Sequence, residues 1–147
     1  MSTTYAMTTA NGRATDSAIR ALEDHLGVDL PSDYKRFLKQ CNGGKPENDE
    51  VKIDGWGITG IQRFNGLALG DCYDIEKITQ LLLCGDRIAY LPIASEPGGS
   101  NFFLCVSGAD YGSVYFKDHH DSNNKMFLLA ESFDRFFDSL LPEGTFD

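Results

Sequence analysis

The residues with the clearest capacity for chemistry are the run Asp118-His119-His120-Asp121 and four cysteines. Imidazoles bind transition metals and titrate near neutral pH, so this run offers a metal ligand or a general base. Adjacent strand residues point to opposite faces, so two neighbouring imidazoles chelate one ion only where the chain turns. We interpret the run as a solvated turn between strands. Metal binding or base catalysis by His119 or His120 is the alternative, which metal analysis of the purified protein would test.

A second motif, Gly55-Trp56-Gly57-Ile58-Thr59-Gly60, matches the G-x-G-x-x-G pattern of dinucleotide-binding loops. That motif binds a pyrophosphate only where it opens a helix. The residues that follow contain Gly66 and Gly70 and show no helical apolar stripe. Trp56 would also crowd the backbone approach that the glycines are meant to allow. The segment is therefore predicted to be a glycine-punctuated strand or turn.

Motifs of nucleophilic catalysis and of structural metal sites are absent from the sequence. It contains no G-x-S-x-G, no P-loop and no H-E-x-x-H motif, and Ser100 follows Gly98-Gly99 as a turn residue. The cysteines lack C-x-x-C spacing and have apolar neighbours, which favours buried free thiols in a reducing compartment. They are Cys41, Cys72, Cys84 and Cys105. We therefore predict a protein that is not an enzyme and has no cofactor or metal.

The net charge of the chain limits the classes of partner that it can be expected to bind. The 147 residues include 13 Lys and Arg against 22 Asp and Glu, a net charge of −9. Thirteen of the acids, but only five of the bases, lie in residues 71–147. Nucleic acids and anionic membranes bind basic patches, so both are disfavoured as partners. An acidic second half either serves solubility alone or attracts a basic protein. With no signal-like segment and no long apolar run, we expect a cytoplasmic protein.

Elements that position these residues follow from the apolar periodicity. Apolar residues recur with helical spacing in four segments, and alternate with polar residues in the strand segments that precede the last helix. Short turns between those strands imply antiparallel pairing. The first predicted helix covers residues 15–26, and the second begins at a Ser32 cap and stops at Asn42-Gly43-Gly44. The third runs from 74 to about 84, and the fourth covers 132–141. The predicted strands are one or two within 51–64, then 87–94, 101–106, 113–117 and 125–129.

This order predicts an α+β fold, a largely antiparallel sheet with helices at both chain ends packed against it. Residues 1–14, rich in Thr, Ala, Asn and Gly, are expected to be a flexible N-terminal segment. Residues 15–147 are expected to form a single domain, as the chain length also suggests.

Four ordered segments resemble the SUKH superfamily, the Smi/Knr-like proteins. Residues 18–44, AIRALEDHLGVDLPSDYKRFLKQCNGG, are similar to its opening signature, in which LPxDYxxFLxxxNGG follows an amphipathic helix ending in Leu-Gly. Residues 58–75, 88–120 and 128–141 resemble its later segments, so the likeness spans about 15–142. Two departures are Glu96-Pro97, where an Asp is often seen, and Phe116, where the family often has Trp. The resemblance implies the SUKH fold and a non-enzymatic binding module.

The resemblance also implies a partner. Bacterial members commonly act as immunity proteins, each neutralising a cognate polymorphic or contact-dependent toxin, often a nuclease, whereas fungal members are regulatory interaction proteins. A nuclease presents a basic surface to its substrate, so we expect a cognate basic toxin domain as partner, bound by a monomer or weak homodimer. The alternative is a regulatory scaffold or peptide-binding adaptor without a toxin. The predicted partner-binding residues are Asp71, Asp74, Glu96, Asp110, Tyr111, Asp118 and Asp121.

Overall fold

The computed structural model describes residues 5–67, 74, 75, 79, 89–123 and 125–145. Their helices are α1 (Asp16–Leu26), α2 (Ser32–Gln40) and α3 (Phe133–Asp138). Their strands are β1 (Met7–Ala10), β2 (Gly44–Pro46), β3 (Glu50–Ile53), β4 (Gly57–Gly60), β5 (Arg63–Phe64), β6 (Tyr90–Ser95), β7 (Asn101–Cys105), β8 (Val114–Lys117) and β9 (Met126–Ala130). The predicted α+β class is confirmed. The helix predicted from 74 to 84 lies largely outside the described residues.

Among the described strands, seven form one sheet in the order β1-β2-β5-β6-β7-β8-β9, and every neighbouring pair is antiparallel. The last four strands follow one another as hairpins, as the short turns between them predicted. Strands β3 and β4 pair separately as a hairpin of their own. The stretch 51–64 thus contains parts of three strands, where one or two were expected.

Helix α1 begins and ends as its sequence predicts. The Thr15 hydroxyl accepts a hydrogen bond from the Ala18 amide at 3.1 Å, and Gly27 ends the helix in the left-handed conformation with φ +69°. Helix α2 differs at its start, because Pro31 occupies the N-cap position and no side chain caps the helix. The predicted Ser32 cap is therefore wrong. Proline suits this position because its fixed φ favours helix entry and no amide donor is lost.

The Asn42-Gly43-Gly44 stop joins α2 to the sheet. Both glycines have positive φ, +83° and +123°, and Gly44 begins β2. The buried Asn42 side chain donates to the Leu67 carbonyl at 2.9 Å and accepts from the Leu67 amide at 2.8 Å. It therefore satisfies the backbone of a neighbouring loop segment as another strand would.

An aromatic cluster fills the space between the helices and the sheet. Phe37 of α2 is fully buried at its centre. The centroid of its ring lies 4.9 to 6.3 Å from those of five other aromatic rings. These belong to Tyr5, Tyr34, Phe64, Phe133 and Phe137. Because β5, α2 and α3 all contribute rings, the cluster connects both chain ends to the sheet.

The N-terminal part of the chain is more ordered than its composition suggested. Met7–Ala10 form β1, which pairs with β2, and the ring of Tyr5 is buried. The Tyr5 hydroxyl donates to Asp134 Oδ1 at 2.6 Å. A flexible segment over 1–14 is therefore wrong for residues 5–14, and residues 1–4 lie outside the described part. Strand pairing and burial of an aromatic ring overcome the fraying that polar termini otherwise show.

The C-terminal region has two features that the sequence did not predict. Helix α3 has Ser132, the first residue of the predicted helix, as its N-cap, but it ends at Asp138 instead of continuing to Leu141. Leu141 is drawn away because its backbone exchanges two hydrogen bonds with Glu50, at 2.9 and 3.1 Å. Strand β9 lies at the edge of the sheet, and its register with β8 shifts so that Leu129 forms a bulge.

Candidate functional site

One end of the sheet gathers polar side chains from three segments. The β3–β4 turn, the β6–β7 turn and the loop after β8 meet there, because antiparallel pairing brings alternate connections to the same end. We call the group of residues that they bring together the turn cluster. It consists of Trp56, Thr59, Glu96, Ser100, Asp118 and His119.

The Glu96 carboxylate holds the turn cluster together. Its Oε2 accepts from the Thr59 hydroxyl at 2.7 Å, and its Oε1 accepts from the Ser100 amide at 3.1 Å. The side chain thereby ties β4 to the β6–β7 turn, and Glu96 is only 6% exposed. Its assignment to a partner-binding surface is wrong, because both carboxylate oxygens bond within the fold.

Ser100 and His119 are a serine and a histidine within hydrogen-bond reach of each other, as a catalytic pair would be. The Ser100 hydroxyl accepts from the His119 amide at 3.1 Å and lies 3.0 Å from His119 Nδ1. Ser100 is 2% exposed, so a substrate has no access to its oxygen. A nucleophilic serine needs a free approach path besides a base within hydrogen-bond reach. The pair therefore anchors the loop after β8 to the β6–β7 turn.

Gly98 and Gly99 make these contacts possible. A Cβ on Gly98 would lie 2.6 Å from Glu96 Oε1, and one on Gly99 would lie 3.0 Å from His119 Cε1. Gly99 also has φ +99°, which side chains rarely allow. The Gly-Gly-Ser segment is thus a turn, as predicted.

The histidine run lies in the turn after β8, as the sequence indicated. The rings of His119 and His120 pack against each other with centroids 3.8 Å apart and their planes tilted by 43°. In the part of the chain that the structure describes, no group of three or more His, Cys, Asp or Glu side chains is placed to hold a metal ion.

The G-x-G-x-x-G segment forms the β3–β4 turn and β4, which confirms its interpretation as a glycine-punctuated turn. Trp56 stands in that turn, and its indole N–H donates to Asp118 Oδ2 at 2.9 Å. The other Asp118 oxygen accepts from the His120 amide at 2.9 Å. The Trp56 bond, followed by the His120 bond, lowers the pKa of Asp118 below its ordinary value.

The opposite end of the sheet carries the β7–β8 loop, with Tyr111 at its tip. Tyr111 is 44% exposed, and its hydroxyl donates to the backbone carbonyl of Asp29, in the link between α1 and α2, at 2.6 Å. Burial raises the pKa of Tyr111, and the nearby charges of Asp29, Glu23 and Asp33 raise it further. The ring therefore lies in acidic surroundings.

Two more tyrosines extend this end onto the outward face of the sheet. The Tyr115 hydroxyl donates to Asp110 Oδ2 at 2.9 Å. The Tyr90 ring, 38% exposed, packs edge-on against Tyr115 with centroids 5.7 Å apart. We call Asp29, Tyr90, Asp110, Tyr111 and Tyr115 the tyrosine surface.

Ionisation of Tyr115 is expected to be delayed to high pH. Burial, then the hydrogen bond and charge of Asp110, raise the pKa of Tyr115 to about 12. Asp110→Asn removes the carboxylate contributions, so the Tyr115 pKa should fall toward the ordinary tyrosine value. Carbon-13 NMR of the tyrosine ring carbons, with Tyr115→Phe to assign the signal, measures this. An unchanged Tyr115 titration in Asp110→Asn would contradict the contact.

The seven predicted partner-binding residues do not share one face. Asp71 lies outside the described residues, and Asp74, like Glu96, is 6% exposed, so its assignment to a partner surface is wrong. Asp118 and Asp121 lie at the turn-cluster end, whereas Asp110 and Tyr111 lie at the other end. The length of β8, about 13 Å, separates the two groups.

Sequence reasoning missed Tyr90 and Tyr115, although a signal for both was present. Strand residues alternate between faces, and the neighbours Leu91, Val114 and Phe116 are fully buried. The tyrosines beside them therefore point outward.

Cysteine burial agrees with prediction where it can be compared. Cys41 and Cys105 are free and buried, and burial raises the pKa of the Cys41 thiol. Cys72 and Cys84 lie outside the described residues. Among the helices of the described part, none is long and apolar enough to cross a membrane.

Comparison with known proteins connects this geometry to a family. The model of the SMI1 / KNR4 family (SUKH-1) matches residues 13–139. The SPbeta prophage-derived uncharacterized protein YokK of Bacillus subtilis (strain 168) is 32% identical over 151 residues, which cover 88% of this chain and 76% of the relative. The family match includes both helices of the opening signature, the turn cluster and α3. The chain belongs to the SMI1/KNR4 family (SUKH-1).

Proposed function

We propose that this protein is a non-enzymatic immunity protein that binds and neutralises a cognate polymorphic or contact-dependent toxin by direct contact. Membership of a family with many bacterial immunity proteins supports this role. A net charge of −9 suits a basic partner such as a nuclease domain. The proposed site of action is the cytoplasm, where a toxin that enters the cell would meet its inhibitor.

The observation that carries this proposal is the internal bonding of the turn cluster. Glu96, Ser100 and His119 lie in a segment that resembles the family signature. The hydrogen bonds of their side chains join the β6–β7 turn to β4 and to the loop after β8. A signature used in this way specifies a scaffold instead of a reactive centre. Binding would then be left to surface residues outside these internal bonds.

Titration with the toxin domain encoded beside this gene tests the proposal. Isothermal titration calorimetry should show a one-to-one complex, and the protein should abolish the toxin's activity at equal concentration. The absence of a toxin-like neighbouring gene, together with no partner in a pull-down, would contradict an immunity role. It would instead favour the regulatory scaffold or adaptor.

Association with a basic toxin is expected to be steered by charge. The association rate should fall several-fold between about 0.05 and 0.5 M salt, because the Debye length shortens over that range. Stopped-flow fluorescence at several salt concentrations measures it, with the dissociation rate as the internal control, since rim charges act mainly on association. A salt-independent association rate would contradict the electrostatic contribution alone.

A further inference from the structure

Carboxylates at the two ends of the sheet differ in how much of their bonding capacity is already used. At the turn-cluster end, both oxygens of Glu96 and both oxygens of Asp118 accept hydrogen bonds from the protein itself. Asp121 Oδ1 accepts from the Asn123 amide at 2.9 Å. Glu96 and Asp118 brace turns, so a partner would have to compete with their existing bonds. Asp121 has one bonded oxygen, as Asp110 does, and is therefore the matched carboxylate for comparison with Asp110.

At the tyrosine surface, acceptor oxygens remain available. Asp110 is exposed and uses Oδ2 for Tyr115. Asp29 is exposed too, and only its backbone carbonyl accepts from Tyr111. Within the described residues, the Asp29 carboxylate and Asp110 Oδ1 have no hydrogen-bond or ion-pair partner. An incoming cation would therefore find free carboxylate oxygens beside an aromatic ring.

The tyrosines of this surface are also held in place before any partner arrives. The hydroxyls of Tyr111 and Tyr115 are bonded at 2.6 and 2.9 Å, and Tyr90 packs against Tyr115. Fixed rings lose little side-chain entropy on binding, which improves affinity. Tyrosine is one of the residue types that most often dominate a binding interface.

Charge and shape together indicate the partner's chemistry. A guanidinium can stack on a tyrosine face while its N–H groups bond a carboxylate, whereas an ammonium offers a point charge without a planar fork. We propose that the tyrosine surface is the docking site for the cognate toxin and that the toxin segment seated there carries arginine. This inference rests on the proposed immunity function and locates its interface.

Matched charge removal at the two ends tests the location with the toxin domain encoded beside the gene. Asp110→Asn and Asp121→Asn change net charge equally but lie at opposite ends. We expect Asp110→Asn to raise Kd about five- to tenfold and Tyr111→Ala at least tenfold. Asp121→Asn should stay within about twofold of the unmodified protein. Equal effects of the two aspartate variants, or an unchanged Kd in Tyr111→Ala, would overturn the location.

Folding must be separated from binding in these variants. Thermal melts should leave Asp110→Asn and Asp121→Asn within a few degrees of the unmodified protein. Tyr111→Phe keeps the ring but loses the bond to Asp29, so it should bind with an affinity between those of the unmodified protein and Tyr111→Ala. If the unmodified protein itself fails to bind the toxin, the immunity function fails, and that result differs from a toxin that binds but ignores the tyrosine surface.

A toxin-independent measurement tests the arginine preference. Titration of the nitrogen-15-labelled protein with a tri-arginine peptide should shift the amide signals of Asp110–Gly112 and Asp29 more than those of Asp118–Asp121. A tri-lysine peptide of equal charge should give smaller shifts at the same amides. Equal shifts with both peptides would overturn the arginine preference, and shifts confined to Asp118–Asp121 would overturn the surface.

Discussion

Replacing Gly43 with alanine is expected to lower the free energy of unfolding by about 3–5 kcal/mol. Gly43 has φ +83°, and a Cβ there would lie 2.7 Å from the carbonyl oxygens of Phe64 and Asn65. Those oxygens belong to the backbone, so they cannot rotate away. The expected loss is a large share of the stability of a domain of this size.

Gly27→Ala provides the matched control for strain alone. Gly27 has a similar φ of +69°, but the structure places nothing within 4 Å of its added Cβ. That variant should lose only about 1 kcal/mol, the cost of a left-handed alanine. Urea denaturation by far-ultraviolet circular dichroism compares the two. Equal losses would show that backbone crowding at Gly43 contributes nothing.

Replacing Phe37 with alanine should also lower the unfolding free energy by about 3–5 kcal/mol. The ring is fully buried and contacts five other aromatic rings. Its removal leaves a cavity between α2, α3 and β5 that rigid aromatic neighbours cannot close. Chemical denaturation measures the loss of stability. Hydrogen exchange should also show reduced protection in β1, because the ring centroids of Tyr5 and Phe37 lie 5.1 Å apart and Tyr5 lies just before that strand.

Two further variants serve as comparisons for the stability loss of Phe37→Ala. Phe37→Leu retains much of the volume and should lose clearly less than Phe37→Ala. Leu128→Ala also truncates a large apolar side chain, but Leu128 is 58% exposed. The free energy of unfolding of this variant should therefore change by less than about 0.5 kcal/mol. A loss in Phe37→Ala no larger than in Leu128→Ala would contradict the central role of the aromatic cluster.

Local patterns were sufficient to predict most of the elements. The helical stripe of Tyr34, Phe37 and Leu38 is buried in α2, and the alternating strands β6 to β9 form hairpins in sequence order. These signals depend on neighbours three or four residues apart, or on alternate residues along a strand, so one sequence contains them. The Ser132 cap of α3 is equally local, because its hydroxyl accepts from the Arg135 amide.

Elements that depend on distant partners could not be predicted in this way. Strand β1 has a polar sequence and exists because β2 supplies its hydrogen bonds. Leu141 leaves the helical pattern because Glu50, far away in the chain, binds its backbone. Short-range periodicity contains no information about either contact.

The candidate site shows the same division between features that local sequence predicts and features that depend on the path of the chain. Asp110 and Asp118 are eight residues apart, and both are predicted from the sequence to contact the partner. Strand β8 lies between them, however, so the chain carries them to opposite ends of the sheet. From the sequence, Tyr111 is predicted to be a contact residue. Only the structure distinguishes Asp110, whose Oδ1 has no partner among the described residues, from Asp118, which uses both oxygens.

The bulge at Leu129 has a consequence for how this protein behaves at high concentration. Strand β9 reads Met-Phe-Leu-Leu-Ala, an uncharged apolar edge of the kind that templates aggregation. The extra residue breaks the regular row of backbone groups that another chain would need for pairing. Lys125 and Glu131 flank the strand with charge. The edge strand is therefore expected to resist pairing with a second copy of the chain, even at high concentration.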